Sequence, residues 1–252
     1  MNKFLWEKSP SKLCISRSEI HVWKTCLSAV SKKNKGRLVV LSEEENKRLS
    51  SFKFEKDRFS YAITHSMKRW VIARYLNELA EKLSFTLNKQ GKPAISAQQN
   101  WLNLQFNISH SHQLILIALT LDDPIGIDIE YHSDNISIES LKKFIFSSLE
   151  KDFFSKLATQ EEKNKAFFRC WTRKEAYLKA KGIGLMNFPS NISVDMNEKP
   201  ADDWLETLTM NKKENLSWRL FPLNVNKLYT ASIVSSTYQQ RLIGYIGPYG
   251  RW

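Results

Sequence analysis

An α+β fold assembled from two similar halves is the architecture that this 252-residue sequence predicts. Three observations carry the expectation. Runs rich in Ile, Val and Leu are short enough to be strands, two long segments repeat apolar residues at helical spacing, and the second half echoes the first. IHVW, from Ile20, and IDIE, from Ile127, stand 107 positions apart, while LSEEE, from Leu41, and FSSLE, from Phe146, stand about 105 apart. The echo divides the chain into units 1–120 and 121–252.

Taken in order, SEIHVWKTCL (18–27) alternates as a strand does. Ser42 followed three residues later by Glu45 is a capping box that opens a helix. A longer helix is expected over 56–83, where Phe59, Ile63, Met67, Trp70, Ala73 and Leu76 keep near-helical spacing. NKQGKPA (88–94) is a loop by its Gly and Pro. LILIALTL (114–121) is a buried strand, and Asp122, Asp123 and Pro124 form the turn of a hairpin into IGIDIE. In the second half FSSLEKDFFSKL and AFFRCWTRKEAYLKAKG are helical. Beyond Gly184 come the strand-like runs NISVDM, SWRLFPL and LYTASIV, and then an irregular tail.

Composition bounds the function. At 42% hydrophobic and 25% charged the chain is an ordinary folded protein rather than a disordered one. Its 38 Lys and Arg against 26 Asp and Glu give +12, which favours polyanionic partners: nucleic acid, a phosphorylated cofactor, an anionic membrane or an acidic protein. The first residues hold no apolar stretch of signal-peptide length, and LILIALTL, the longest apolar run, is too short to span a bilayer. Cys14, Cys26 and Cys170 are odd in number and form no C-x-x-C pair, so no disulfide framework or thiolate zinc site is expected. A reduced cytoplasm and no membrane association are the expectation.

PIGIDIEYH (124–132) places Asp128 and Glu130 two apart on a strand, hence on one face. Two readings stay open for that pair: a solvated edge, or a cation held between them. In WTRKEAYLKAKG, Glu175 and Lys179 share a helix face. Alone, E-x-x-x-K is most often an exposed ion pair of little energetic weight. Here the neighbouring Trp171, Ala176, Tyr177 and Leu178 point to a buried helix. Three carboxylates without His or Cys favour Mg²⁺ or Mn²⁺ over zinc. In FNISHSH, Ser109 and His110 are placed to meet an anion, whereas His112 reads as structural. Lys89 and Lys92 flank a Gly-Pro turn that by itself is an ordinary loop, and Lys47, Arg48, Lys53, Lys56 and Arg58 form a solvated basic face.

Together GKP (91–93), FNISHS (106–111), IGIDIE (125–130) and FFRCWTRKEAYLKAKGIGL (167–185) resemble, in order and spacing, the 4′-phosphopantetheinyl transferases, in particular the larger monomeric type that activates carrier domains of nonribosomal peptide and polyketide synthases. LSEEE, FEKDR and FSSLE are similar to further family segments, and the likeness spans roughly 19–185. The resemblance implies a pseudo-twofold α+β fold with two similar halves around one cleft. It implies that coenzyme A binds there with Mg²⁺, that Asp128, Glu130 and Glu175 are metal ligands, and that Ser109 and His110 contact the phosphates. Lys92 and Pro93 would lie beside the adenine, Arg48 would grip the 3′-phosphate, and Lys89 is a looser match. Glu150 matches a recurring acid read as structural. The implied reaction moves 4′-phosphopantetheine to a serine of an acidic acyl or peptidyl carrier protein and releases 3′,5′-ADP. Glu175 would accept the serine proton, directly or through water, and Lys179 would serve the leaving group. Carrier docking is expected around 144–154, on Phe144, Ile145, Phe153 and Phe154. The expectation includes a monomer and no nucleic-acid partner. The competing readings are a metal-dependent nuclease, a basic nucleic-acid-binding protein and a transferase that binds coenzyme A without turnover.

Overall fold

The structure is a computed structural model that describes residues 4–30, 39–133, 137–184, 189–198, 205–206, 218–236 and 241–247. Its strands are β1 (Trp6–Lys8), β2 (Glu19–Cys26), β3 (Phe85–Leu87), β4 (Pro93–Ile95), β5 (Leu104–Ser111), β6 (Leu114–Leu121), β7 (Ile125–Tyr131), β8 (Leu205–Glu206), β9 (Arg219–Leu223), β10 (Tyr229–Ser235) and β11 (Arg241–Ile246). The α-helices are α1 (Glu43–Ser50), α2 (Glu55–Leu76), α3 (Ile138–Ile145), α4 (Ser148–Ser155) and α5 (Gln160–Lys181). One sheet runs β1-β11-β2-β6-β5, a second runs β7-β10-β9-β8, and β3 and β4 form a separate ribbon.

The two sheets face each other between α2 and α5, which makes four layers. Leu114, Leu116 and Ala118 of β6 point between the sheets with Ile127 and Ile129 of β7. Ile115, Ile117 and Leu119 point the other way, onto Ile63, Met67 and Val71 of α2. A strand covered on both faces needs apolar residues at every position, which explains LILIALTL. On the far side Ala176, Leu178 and Ala180 of α5 pack against the second sheet.

The duplication is visible element by element. α2 and α5 are both 22 residues long, α1 and α4 are both 8, and each pair is displaced by 105 positions. Each short helix opens with a capping box, Ser42 with Glu45 and Ser147 with Glu150. Each capping glutamate also takes a cation from the long helix at corresponding places, Arg69 Nε to Glu45 at 2.6 Å and Lys174 Nζ to Glu150 at 2.5 Å. Both long helices stop on a left-handed residue, Asn77 and Gly182.

Four expectations are corrected. The turn at 122–124 does not close a hairpin: β6 has β2 and β5 on its two edges, so β7 crosses to the other sheet and pairs with β10. The helix begun near residue 56 ends at Leu76 rather than 83, and a short 3₁₀ turn, Ala80–Lys82, carries the apolar spacing on to Leu83. NISVDM is not a strand. Carbonyls of this stretch accept from α5 instead, Met196 from Arg169 Nε at 2.7 Å and Asp195 from Arg173. The tail is not irregular, because Arg241–Ile246 forms β11, parallel to both β1 and β2. The last described strand of residues 121–252 thus lies in the sheet that holds β2, β6 and β5.

Candidate active site

Strand β7 alternates between two environments. Ile125, Ile127 and Ile129 fill the space between the sheets, while Gly126, Asp128 and Glu130 face α5. The glycine sets how near the helix comes. A Cβ at Gly126 would sit 2.0 Å from the Ala176 carbonyl oxygen and 2.4 Å from the Ala180 nitrogen. α5 therefore rests directly on the strand and brings Lys179 and Glu175 over the two acids.

Strand β5 supplies the other wall. It is the edge of its own sheet and β7 is the edge of the other, so polar side chains bridge them where no ladder exists. Asn107 Oδ1 accepts from the Ile127 N–H at 2.9 Å, and Ser111 Oγ accepts from the Tyr131 N–H at 3.0 Å. Between them Ser109 Oγ donates to Asp128 Oδ1 at 2.9 Å. FNISHS thus alternates Asn, Ser, Ser toward β7. His110 faces the opposite side and is exposed, its imidazole held below the ordinary range by partial desolvation, Lys179 and His65. His112 belongs to the β5–β6 turn, with φ 50°, stacked on Tyr131 at 4.6 Å.

The centre of the site is an ion pair between a half-buried lysine and a buried aspartate. Lys179 Nζ donates to Asp128 Oδ1 at 2.6 Å and to Ser109 Oγ at 3.0 Å. Asp128 is 3% exposed, and its Oδ2 is buried with no hydrogen-bond partner among the described residues. Glu130 is held by both oxygens, Oε2 by Ser111 Oγ at 2.9 Å and Oε1 by Trp171 Nε1 at 3.1 Å. Burial, then the neighbouring Asp128 and Glu130 charges, push Glu175 up to about 7 against the pull of Lys179. Burial raises Asp128 and Glu130 as well, the latter also through Asp128. Asp128 thus raises both glutamates, and a cation among the three would relieve that repulsion. Among the described residues no three His, Cys, Asp or Glu side chains converge as a ligand cluster, and Lys179 occupies one oxygen of Asp128.

The remaining sequence-derived positions lie around this centre. Lys92 and Pro93 line a cleft of about 250 Å³ with Phe106, Pro124 and the end of α5. Lys92 Nζ itself donates to the carbonyls of Ile125 and Ala180, both at 3.0 Å. Arg48 is exposed on α1 with its guanidinium 5.5 Å from the Phe52 ring, and Lys89 is exposed in the 88–91 turn. The bonds that hold Asp128 and Glu130 come from Ser109, Lys179, Ser111 and Trp171, not from these two cations. Glu150 is structural: besides its cap it accepts from Lys174 and from the Val194 N–H at 2.8 Å. Sequence reading missed Trp171 and Ser111 as the holders of Glu130; the alternation in FNISHS was the available signal for Ser111. A larger cleft, about 940 Å³, opens on another face of α5 beside β9 and β10. Three of its cations are committed elsewhere, Arg169 and Arg173 to carbonyls and Lys165 to Glu161, and Lys227 also lines it.

Comparison with known proteins places the chain in a family. Residues 124–234 match the family described as the 4′-phosphopantetheinyl transferase superfamily, and residues 23–121 match the description "4′-phosphopantetheinyl transferase, N-terminal". The 4′-phosphopantetheinyl transferase HetI of Nostoc sp. (strain PCC 7120) is 33% identical over 185 residues, which is 73% of this chain and 78% of HetI. The transferase Sfp of Bacillus subtilis (strain 168) is 32% identical over 170 residues, 63% of this chain and 73% of Sfp. AcpT of Salmonella typhimurium is 36% identical over 114 residues, 45% of this chain and 56% of AcpT. A carboxylate cleft where two like halves meet, in a chain with these relatives, defines a group-transfer enzyme. The chain belongs to the 4′-phosphopantetheinyl transferase superfamily.

Proposed function

We propose that this protein transfers the 4′-phosphopantetheine of coenzyme A to a serine of an acidic acyl or peptidyl carrier protein, with release of 3′,5′-ADP. The observation that carries the reading is the Ser109–Asp128–Lys179 network, which draws one residue from each of β5, β7 and α5 to a single point beside Glu130 and Glu175. The donor set suits a hard divalent cation, Mg²⁺ or Mn²⁺. It is all oxygen, it includes a buried Asp128 oxygen with no partner among the described residues, and its acids are raised by burial, Glu130 and Glu175 also by neighbouring carboxylates. Asp128, Glu130 and Glu175 would hold the ion, and when bound it would offset charge on the pyrophosphate.

The chain's own residues account for the rest. The serine Oγ forms a bond to the β-phosphorus, and the bond from that phosphorus to the bridging oxygen breaks, leaving 3′,5′-ADP. Glu175, raised to about 7, is suited to take the serine proton near neutral pH. Lys179 stands one helical turn on and can donate to the leaving oxygen, with Ser109 steering its ammonium. His110, exposed and with its imidazole held below the ordinary range, would offer the phosphates a neutral ring N–H, and Pro93 offers an apolar edge for the base. Arg48 and Lys89 remain exposed candidates for the 3′-phosphate.

A cytoplasmic monomer is part of the proposal; no described helix is long and apolar enough to cross a membrane. The carrier surface needs revision from sequence. Ile145 and Phe154 are core residues, 2% and 4% exposed, whereas Phe144 is 73% and Leu149 65% exposed. Phe144 and Leu149 are therefore the docking candidates. Intact-protein mass spectrometry tests the function: an apo carrier incubated with enzyme, coenzyme A and Mg²⁺ gains one phosphopantetheine. Asp128→Asn slows the gain by about 10²-fold or more, and EDTA abolishes it. No gain on fatty-acid, peptide or polyketide carriers by folded enzyme would overturn the assignment.

A further inference from the structure

The turn between β3 and β4 belongs to the first half, yet it grips the end of the catalytic helix of the second. Asn88 Oδ1 accepts from the Gln90 and Lys92 N–H groups at 3.0 and 2.8 Å, which shapes the turn. Asn88 Nδ2 then donates to the Gly182 carbonyl at 2.9 Å. Lys92 Nζ reaches further in and bridges the carbonyls of Ala180 and Ile125. The last carbonyls of a helix lack partners within the helix, so Ala180 and Gly182 are groups that need such donors. Contact is close enough that a Cβ at Gly182 would lie 2.8 Å from Asn88 Nδ2.

The two carbonyls that Lys92 joins are informative. Ala180 follows Lys179 directly, and Ile125 starts the strand that carries Asp128 three residues later. One ammonium thus ties the helix bearing Lys179 to the strand bearing Asp128, at the place where Gly126 lets them touch. Two of its three hydrogens go to backbone carbonyls. Burial holds its pKa down to about 8, and among the described residues its ammonium bonds to carbonyls rather than to a carboxylate.

We propose that Lys92 is a positioning residue that fixes the register of α5 on β7, and thereby the Lys179–Asp128 pair, rather than a side chain that binds coenzyme A beside the adenine. The proposal rests on the transferase reading. Asn88 acts with it as the second arm of the same clasp, while Pro93 keeps its place on the cleft.

The test is made on the full chain with Lys92→Met, which keeps the stem but donates nothing, and with Asn88→Ala. Coenzyme A affinity is read by calorimetry without turnover, kcat and KM by carrier modification, and amide exchange over 178–183 by mass spectrometry. Lys92→Met is expected to hold coenzyme A within threefold of wild type, lower kcat by roughly 10-fold or more, and speed exchange over 178–183. Lys92→Arg recovers part of kcat. A tenfold weaker coenzyme A affinity with kcat retained at saturation would make Lys92 a ligand and overturn the proposal, as would unchanged kcat and exchange. Should Lys92→Met fail to fold, Asn88→Ala carries the same reading, with a smaller loss of kcat and unchanged affinity. Absence of turnover by the wild type would instead sink the transferase reading, so the two failures are distinct.

Discussion

Glu175 shows how a single residue takes its chemistry from its surroundings. At 6% exposure and beside two further acids, it holds its proton up to about 7, from an ordinary 4.5. The folded state then binds a proton that the unfolded state has released over much of that range. The resulting stabilisation is fully present below about pH 4.5 and is lost as pH rises through about 7. A shift of this size is on the order of 3 kcal/mol. In EDTA the melting temperature should therefore fall between about pH 5 and pH 8, and Glu175→Gln should flatten the fall. Mg²⁺ should restore more at pH 8 than at pH 5, because the ion needs the ionised acids. A melting profile with the same slope in wild type and Glu175→Gln would rule out this account.

Among the elements, the pairing of α5 with β7 decides whether there is a site at all, and it depends on Gly126. Both atoms that a Cβ would strike, the Ala176 oxygen and the Ala180 nitrogen, are backbone and cannot swing aside. Gly126→Ala must lift the helix, at a cost of about 3 kcal/mol or more. Since α5 carries Glu175 and Lys179, transfer activity should fall further than the fraction unfolded explains. Urea unfolding with parallel activity on the remaining folded protein measures both. Gly91 is the contrast: its φ of 85° strains any side chain, but nothing lies within 4 Å. Gly91→Ala should cost only about 1 kcal/mol.

For the whole molecule, charge and surface act together. The net charge of +12 would speed encounter with an acidic carrier. Phe144 and Leu149 stand exposed near Lys143 and Lys151 on α3 and α4, in the same half that bears the acids. Phe144→Asp with Leu149→Asp should lower kcat/KM for the carrier by about 10-fold or more, and leave KM for coenzyme A unchanged. In the wild type, kcat/KM for the carrier should fall as salt is raised from about 50 to about 300 mM. Unchanged carrier kinetics in the double variant would move the docking surface elsewhere.

The sequence alone determined whatever depends on near neighbours. Capping boxes at Ser42 and Ser147, strands of unbroken apolar residues, the shared face of Asp128 and Glu130, and the helical spacing of Glu175 and Lys179 are local patterns, written within a few residues of one another. The ordered motifs also made the family legible. Tertiary structure alone decided what joins distant segments. β11 lies beside β2 because a parallel pairing carries no turn signal in the sequence. β7 changes sheet because both edges of β6 are already paired. Trp171 and Ser111 meet at Glu130 from positions 41 and 19 residues away, and Lys92 turns from the cleft to the carbonyls of Ile125 and Ala180. Local periodicity records which face a residue takes; only the packed chain settles which distant group waits on that face.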